Sequence, residues 1–289
     1  MRIAVASGKG GTGKTTVATT LALSLAAQGQ PLSFLDCDVE APNAHIFLQP
    51  EFQHTQEVVR LIPQVEAQRC TGCGRCAEVC QYHAIVVLGQ KTLVFSELCH
   101  GCGSCSLECP EKAIREIPEK LGILEAGHTP QQIQFARGLL DVGEPMAVPV
   151  IHQLKKWQTS QIEEIEIWDS PPGTSCPVVE SIRGADFLLL VTEPTPFGLH
   201  DLKLAAQLGA ELEIPAGVVI NRDGIGDTRV EEFCQESAIP ILMRIPLERQ
   251  IGEGIAQGKS LIEIRPEYRE RFQEMFAQIG ALCAAEDWQ

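Results

Sequence analysis

The 289-residue sequence predicts an α/β fold in which a mostly parallel sheet is flanked by helices and interrupted by a small inserted α+β unit. Short apolar runs rich in β-branched residues alternate with helix-like stretches, which is typical of strands buried on both faces of a parallel sheet. A cysteine-rich repeat interrupts this alternation in the first half of the chain. We therefore expect one sheet domain in two parts, 1–58 and 121–289, around an insertion at 59–120.

The elements of the sheet domain follow one another in order along the chain. A first strand at 3–6 leads through a glycine-rich loop into a helix at 14–28. Residues 118–130 are expected to form the return path from the insertion, and a helix is expected over 143–157. The remaining predicted strands lie at 32–35, 165–168, 187–192, 218–220 and 241–245.

The loop after the first strand, residues 8–15, has the sequence GKGGTGKT of a phosphate-binding loop. In such loops backbone N–H groups face the anion, the lysine (Lys14) reaches the β- and γ-phosphates, and the hydroxyl (Thr15) binds Mg²⁺. The same glycines match a dinucleotide fingerprint, with Asp36 about where a ribose-binding acid would lie. The Lys14–Thr15 pair and the carboxylate of Asp169, a second predicted Mg²⁺ residue, favour ATP over NAD. The expected phosphate contacts are Gly8, Gly10, Gly11, Thr12, Gly13, Lys14, Thr15 and Thr16.

Two cysteine runs with identical spacing, C-x2-C-x2-C-x3-C, repeat at an interval of 29 residues within the insertion. This is the spacing of bacterial ferredoxins with two [4Fe–4S] clusters, in which the fourth cysteine of each run binds the other cluster. The first cluster is therefore expected on Cys70, Cys73, Cys76 and Cys109. The second is expected on Cys99, Cys102, Cys105 and Cys80.

Zinc is the alternative for these cysteines, because paired C-x2-C elements also build zinc sites. Two complete four-cysteine runs favour iron–sulfur clusters. Gln81 departs from the pattern, since a proline commonly follows the fourth cysteine, as Pro110 does in the second run. Glycines between the cysteines leave the backbone free to wrap a cluster; they are Gly72, Gly74, Gly101 and Gly103.

Composition limits the partners and the location of the protein. A formal charge of −15 argues against nucleic acid and anionic membranes as partners. No run is apolar enough to cross a bilayer and no secretory signal precedes the first strand, so we expect a cytoplasmic protein with reduced cysteines. From Ser260 onward the chain carries three Arg against six Asp and Glu, whereas interfacial helices need basic polar faces. The apolar side of the last helix is expected to pack on the sheet.

The loop with its extra lysine, Lys9, resembles the deviant Walker A motif of the MinD/Mrp/nitrogenase-iron-protein class of ATPases. The resemblance implies a homodimer formed through the nucleotide site, in which Lys9 reaches the partner's phosphates. Residues 34–43 resemble the second motif of the class, which gives Asp38 the role of orienting the attacking water. Lys9, Lys14 and Asp38 are thus the expected catalytic residues.

Further segments carry the same resemblance. Residues 169–173 resemble the switch II segment, and Asn221 and Arg222 resemble the adenine-contacting segment. Cys176 follows Asp169 by seven residues, the offset of a cluster-binding cysteine in the nitrogenase iron protein, so it is a tentative metal ligand. The other cysteines outside the runs, Cys37, Cys234 and Cys283, are expected in the core. The chain as a whole resembles the subgroup of this class that has an inserted ferredoxin domain.

These features predict an ATP-hydrolysing iron–sulfur protein that couples ATP state to electron transfer through two [4Fe–4S] clusters. The alternative is an ATPase that assists assembly or delivery of an Fe–S or other metal cofactor. A ferredoxin with a vestigial nucleotide fold is disfavoured, because the residues of the nucleotide site are all present. Besides a second copy of itself, the expected partner is a redox protein or a cofactor-accepting protein.

Overall fold

The structure is a computed structural model that describes residues 1–158 and 165–286. Its strands are β1 (Arg2–Ala6), β2 (Leu32–Asp36), β3 (Glu51–Val65), β4 (Ile85–Leu88), β5 (Lys91–Val94), β6 (Ile114–His128), β7 (Gln134–Leu140), β8 (Ile165–Asp169), β9 (Phe187–Thr192), β10 (Ala216–Asp223) and β11 (Ile241–Pro246). Nine of these described strands form one sheet in the order β11-β10-β9-β1-β8-β2-β7-β6-β3. Strands β4 and β5 form a separate antiparallel hairpin.

The described helices are α1 (Lys14–Ala26), α2 (His45–Leu48), α3 (Arg75–Glu78), α4 (Ser104–Leu107), α5 (Val148–Gln158), α6 (Cys176–Ile182), α7 (Pro196–Glu211), α8 (Arg229–Glu236), α9 (Arg249–Ala256), α10 (Leu261–Ile264) and α11 (Tyr268–Glu286). All of them except α3 and α4, which lie in the cysteine-rich insertion, pack on the two faces of this sheet. One buried layer lies under α1 and α11, and a second lies under α5 to α8. Phe272, Met275 and Ile279 of α11 belong to the first layer, so this helix packs on the sheet as its apolar face predicts.

The strands from β11 to β7 are all parallel, which confirms the predicted α/β fold with a mainly parallel sheet. Their apolar side chains are buried on both faces. In the pairing of β2 with β8, Asp36 lies opposite Asp169, and Val5 at the end of β1 is also paired with Asp169. The register therefore brings the carboxyl ends of three central strands to one place.

A long antiparallel ribbon of β3 and β6 carries the cysteine-rich residues. The ribbon is paired from Glu51 opposite His128 to Val65 opposite Ile114, but β6 pairs with β7 only from Gly122 onward. The outer half of the ribbon therefore extends beyond the sheet. The register shifts between Val58 and Val59. The boundaries expected at 58/59 and 120/121 fall inside these two continuous strands, near that shift.

Two expectations from the sequence are corrected. Residues 118–130, expected as a return path, belong largely to β6, where Pro118 is tolerated because the outer ribbon has no neighbour on its second side. The helix expected over 143–157 starts only at Val148. Gly143 has a φ of 90°, and the Glu144 carboxylate accepts a hydrogen bond from the Met146 backbone, so a turn occupies the first residues.

Candidate nucleotide and iron–sulfur sites

The phosphate-binding loop connects β1 to α1 and faces an open cavity. Gly13 precedes the first turn of α1 with a φ of 91°, a conformation that favours glycine. Including its open mouth, the cavity encloses about 1300 Å³. Residues 9–16, Asp38, Asn221 and Arg222 line it, so most of the predicted nucleotide residues are brought together. Gly8 lies behind the loop, packed against the backbone of Asp201.

Lys14 and Asp169 form a buried ion pair at the base of this cavity, with 2.5 Å between Nζ and Oδ1. The second oxygen of Asp169 is also buried and has no hydrogen-bond partner among the described residues. A carboxylate oxygen with no partner and the hydroxyl of Thr15, which lines the cavity, are oxygen donors of the kind that a hard cation such as Mg²⁺ prefers. Lys14 is positioned to exchange its carboxylate partner for phosphate.

Asp36 organises the turn that follows β2. Its Oδ2 accepts hydrogen bonds from the backbone N–H groups of Asn43 and Ala44, both at 3.0 Å. Burial, then the nearby Asp169 carboxylate, raises the pKa of Asp36 to about 7. Asp36 is not among the residues that line the cavity. It fixes the turn as far as Ala44, the residue immediately before α2 begins at His45.

Asp38 lies on the cavity side of the same turn. It is partly buried and lines the cavity beside the phosphate-binding loop. Burial is the main cause that raises the pKa of Asp38, and the charge of Lys14 opposes this effect. A carboxylate at this place can accept a hydrogen bond from a water near the terminal phosphate.

Glu193, which the sequence reasoning missed, connects two predicted residues. Its Oε2 lies 3.2 Å from Lys9 Nζ, and its Oε1 lies 2.5 Å from Arg222 Nη1. Arg222 also donates a 3.0 Å hydrogen bond to the carbonyl of Gly11. Lys9 is therefore held within its own chain in this structure. Glu193 follows the end of β9, and position at a strand end is the one sequence signal that could have found it.

The side chain of Asn221 supports the loop from the end of β10. Its Nδ2 donates a 2.7 Å hydrogen bond to the carbonyl of Thr12. A Cβ on Gly13 would collide with this amide group, so glycine at position 13 is required for space as well as for φ. Asn221 thus positions the loop, and both Asn221 and Arg222 line the cavity.

The inserted unit contains two cavities, each lined by four cysteines. The first, of about 340 Å³ with its mouth, is lined by Cys70, Cys73, Cys76 and Cys109. The second, of about 360 Å³, is lined by Cys80, Cys99, Cys102 and Cys105. The folded chain therefore groups the cysteines in the crossed sets expected from their spacing. In residues 1–158 and 165–286, no group of three or more His, Cys, Asp or Glu side chains is arranged to hold a single metal ion.

Backbone groups around these cavities point at sulfur. The N–H groups of Ala84 and Ala113, which are 29 residues apart, donate to the Sγ atoms of Cys80 and Cys109, each at 3.3 Å. Burial raises the pKa of Cys105 to about 11, so ligation would displace its proton. Four thiols and N–H donors at each cavity form a donor set that fits a [4Fe–4S] cluster.

A glycine shows that the loops require close backbone approach. Gly72, between two cysteines of the first cavity, has a φ of 71°. A Cβ there would lie 2.5 Å from the carbonyl oxygen of Gly89 in the β4–β5 turn. A side chain at this position would push the loop away from the hairpin, so glycine is needed to keep the cavity closed.

The remaining cysteines lie in different surroundings. Cys37 and Cys234 are buried and Cys283 is partly buried against the core, in agreement with the sequence expectation. Burial raises the pKa of the Cys37 thiol. Cys176 is exposed at the start of α6. Its role as a metal ligand stays a prediction.

The strand order, the helices on both faces and the phosphate-binding loop define a P-loop nucleotide-binding protein. The chain belongs to the CobQ/CobB/MinD/ParA nucleotide-binding domain family, whose model matches residues 3–262. This match supports the MinD-class part of the sequence resemblance. The assignment to a subgroup with an inserted ferredoxin domain stays a prediction.

Comparison with individual proteins adds detail. MJ0579 of Methanocaldococcus jannaschii is 31% identical over 91% of this chain and 92% of its own length. The iron-sulfur cluster carrier protein of Synechocystis sp. is 26% identical over 92% of this chain and 65% of its own length. The crystal structure of the cell division ATPase MinD of Pyrococcus furiosus has a TM-score of 0.58 at 19% identity, covering 97% of this chain and 98% of that chain. At this identity the structural likeness shows the fold alone.

A helix that crosses a membrane must be long and apolar. In the part of the chain that the structure describes, no helix is both long enough and apolar enough to cross a membrane.

Proposed function

We propose that this chain is an ATPase that dimerises on ATP and couples its nucleotide state to electron transfer through two [4Fe–4S] clusters. The observation that carries the proposal is the pair of four-cysteine cavities on a ribbon whose outer half leaves the sheet at the carboxyl ends of the parallel strands, the edge at which the nucleotide cavity lies. A phosphate-binding loop alone would indicate a nucleotide switch, and the cysteine cavities alone a ferredoxin. Their presence in one chain supports a link between the two activities.

Each side chain of the nucleotide cavity has a proposed task. Lys14 exchanges Asp169 for the β- and γ-phosphates, while Thr15 and the free oxygen of Asp169 face Mg²⁺. Asp38 orients a water whose oxygen bonds to the γ-phosphorus as the bond to the β–γ bridging oxygen breaks, which releases ADP and phosphate. Lys9 exchanges Glu193 for the phosphates held by the partner subunit.

A short stretch of chain supports the coupling to the cysteine unit. Asp38 lies in the turn that Asp36 fixes through the N–H groups of Asn43 and Ala44. The helix α2 begins at the next residue, and β3 starts six residues after that. A change in this turn on binding of the γ-phosphate would therefore reach the first residues of β3 through α2.

The eight cysteines of the two cavities would hold the clusters. When bound, the clusters supply one-electron reduction and oxidation. The chain's own residues supply the thiolates, the N–H groups at sulfur and the partial burial that limits contact with water.

Delivery of an Fe–S cofactor is the second candidate function. It is favoured by the relative named as an iron-sulfur cluster carrier protein, which is similar over 92% of this chain. In that case one iron centre would leave the protein when the nucleotide state changes. Clusters that only carry electrons would instead stay bound in every nucleotide state.

Iron and acid-labile sulfide per chain, with cluster EPR, test the proposal on anaerobically purified protein. Wild type, Lys14→Ala and Cys176→Ala are compared before and after addition of MgATP. The electron-transfer function predicts about eight iron atoms per chain in all three, unchanged by MgATP. ATP hydrolysis should be lost in Lys14→Ala.

Each alternative has its own outcome in this experiment. Iron above eight in wild type, absent in Cys176→Ala and released by MgATP, supports cofactor delivery and a third, transferable centre. Zinc in place of iron and sulfide would overturn both functions. Equal ATP hydrolysis by wild type and Lys14→Ala would contradict the role of the nucleotide cavity.

A further inference from the structure

The 29-residue repeat makes the two cysteine cavities a matched pair, in which most lining residues have a counterpart 29 positions away that lines the other cavity. Some counterparts are identical, such as Ala84 and Ala113. Four pairs differ in chemistry, namely Thr71 and His100, Glu111 and Tyr82, Thr92 and Pro63, and Arg75 and Ser104, given with the first-cavity residue first. The cavities thus share their cysteines but differ in their surroundings.

The mouths of the two cavities differ most. Tyr82 and His100 stack over the second cavity with ring centroids 3.7 Å apart and planes within 13° of parallel. The matched positions at the first cavity are Thr71 and Glu111, which are polar and do not form such a cover. Cys70 at the first cavity is partly exposed, whereas its counterpart at the second cavity, Cys99, is buried, so water reaches the first set of cysteines more easily.

Each cavity has one hydroxyl close to a sulfur, at positions that the repeat does not match. The hydroxyl of Thr92 lies 3.5 Å from Cys70 Sγ at the first cavity, whereas the counterpart, Pro63, has no hydroxyl. At the second cavity the Cys102 thiol donates to the hydroxyl oxygen of Ser104 at 3.5 Å. Its counterpart is Arg75, which lines the first cavity with a cationic group instead.

The formal charges that line the two cavities do not separate them. Arg75 and Glu111 line the first cavity, and the anion Glu116 lines the second. The Arg75 guanidinium, however, is ion-paired with Glu78 and Glu108. Reduction adds negative charge to a cluster, and contact with water stabilises added negative charge. Because the aromatic pair covers the second cavity, reduction is easier at the first.

On the basis of these differences, and resting on the proposed binding of two [4Fe–4S] clusters, we propose that the two sites have unequal reduction potentials. The first electron is accepted at the site of Cys70, Cys73, Cys76 and Cys109. The second is accepted, at lower potential, at the site under the Tyr82–His100 pair. An electron that enters at the second site then reduces the first site as the second is reoxidised, which gives electron flow inside the unit one direction.

An EPR-monitored redox titration of the anaerobically purified full chain tests this order, with dithionite as the one-electron donor through mediators. Wild type should show two resolved one-electron steps at about eight iron atoms per chain. Thr92→Val should lower the reduction potential of the higher-potential step, that of the first site, and leave the other step unchanged. Thr92→Ser, which keeps the hydroxyl, should restore the wild-type potential. His100→Thr installs the residue of the first repeat and should raise the potential of the lower step alone.

The outcomes separate this inference from the proposed function. About eight iron atoms with two superimposed steps would overturn unequal potentials while leaving the clusters in place. A shift of the lower step in Thr92→Val, or of the higher step in His100→Thr, would reverse the assignment and contradict the proposal. Absence of iron and sulfide would remove the proposed clusters and this inference together. Iron content of each variant shows whether its unit has folded.

Discussion

At the scale of single residues, Glu193 restrains the nucleotide site most directly, because its two carboxylate oxygens contact two different cations. One carboxylate holds Lys9 and Arg222, and Arg222 in turn holds the loop at Gly11. If Lys9 acts across a dimer, it must first leave Glu193. The intramolecular ion pair therefore competes with dimer formation.

Replacement Glu193→Gln is expected to favour the MgATP-dependent dimer. A pair in which Lys9 is one-third exposed contributes about 1 kcal/mol, so the dimer dissociation constant should fall about fivefold for each chain released. Sedimentation velocity with MgATP measures the constant. Asp227→Asn, which removes an exposed partner of Arg229, is the control and should behave like wild type. An unchanged constant in Glu193→Gln would mean that Lys9 is not restrained.

Asp36 gives a second prediction at this scale, from the sign of its pKa shift. Its pKa is raised from 3.8 to about 7 by burial and Asp169, with Lys14 opposing and Asp38 adding to the shift. The folded state therefore binds more protons than the unfolded state between these values. The stability associated with Asp36 is present at low pH and is lost as pH rises toward 7.

The variant Asp36→Asn isolates this effect. From pH 5 to 7, wild type should lose free energy of unfolding relative to Asp36→Asn, by at most about 1.4 kcal/mol per pH unit. Urea denaturation followed by circular dichroism at pH 5, 6, 7 and 8 measures the difference. Parallel pH profiles for the two proteins would show that Asp36 is already ionised at pH 5.

At the scale of elements, the sequence was informative where local pattern determines structure. The parallel strands were predictable because burial on both faces leaves continuous apolar runs, and the crossed cysteine sets were predictable from spacing. Strand β7 was not predicted. Gly138 lies within it and packs so closely on Val39 that a Cβ at position 138 would lie 2.7 Å from the valine side chain. The ribbon was missed because its polar residues, with Pro63 and Pro118, hide the strand pattern.

The position of Glu193 could not be predicted for a different reason. No motif surrounds it, and its contacts with Lys9 and Arg222 join residues 184 and 29 positions away. Such contacts depend on the order of strands in the sheet. That order places β9 between β1 and β10, so the ends of the three strands meet.

The outer ribbon has an anchor of its own in Arg60. The side chain is buried, with Nη2 2.6 Å from Glu119 and 3.4 Å from Glu144, and Nη1 3.0 Å from Met146 Sδ. Glu119 lies on β6, whereas Glu144 and Met146 lie in the turn before α5. Arg60 therefore ties both strands of the ribbon to the sheet domain.

Loss of this anchor in Arg60→Ala should lower the free energy of unfolding by about 2–3 kcal/mol, because it leaves partly buried carboxylates without a cation. Urea denaturation measures the loss. Arg75→Ala, which removes an exposed arginine paired with Glu108 within the cysteine unit, is the matched control and should remain close to wild type. Equal stability of the two variants would show that Arg60 does not anchor the ribbon.

At the scale of the whole molecule, the nucleotide cavity and the cysteine unit lie at opposite ends of one covalent path. The path runs from Asp38 through α2 into β3, and β3 continues without a break to the cysteine unit. A continuous strand transmits displacement better than a flexible linker does. If the proposed coupling holds, nucleotide binding should be detectable in the ribbon itself.

Hydrogen exchange of the full-length protein should therefore respond to MgATP at the start of the ribbon, over residues 51–58. We expect at least about a threefold change in exchange rate there, a free-energy change of about 0.7 kcal/mol, because the turn at Asp38 senses the γ-phosphate. MgADP should give a smaller change, since it lacks that phosphate. Lys14→Ala, which cannot hold the β- and γ-phosphates, should give none. A response confined to the phosphate-binding loop and α1, with residues 51–58 unaffected, would mean that the nucleotide state does not reach the cysteine unit through this strand.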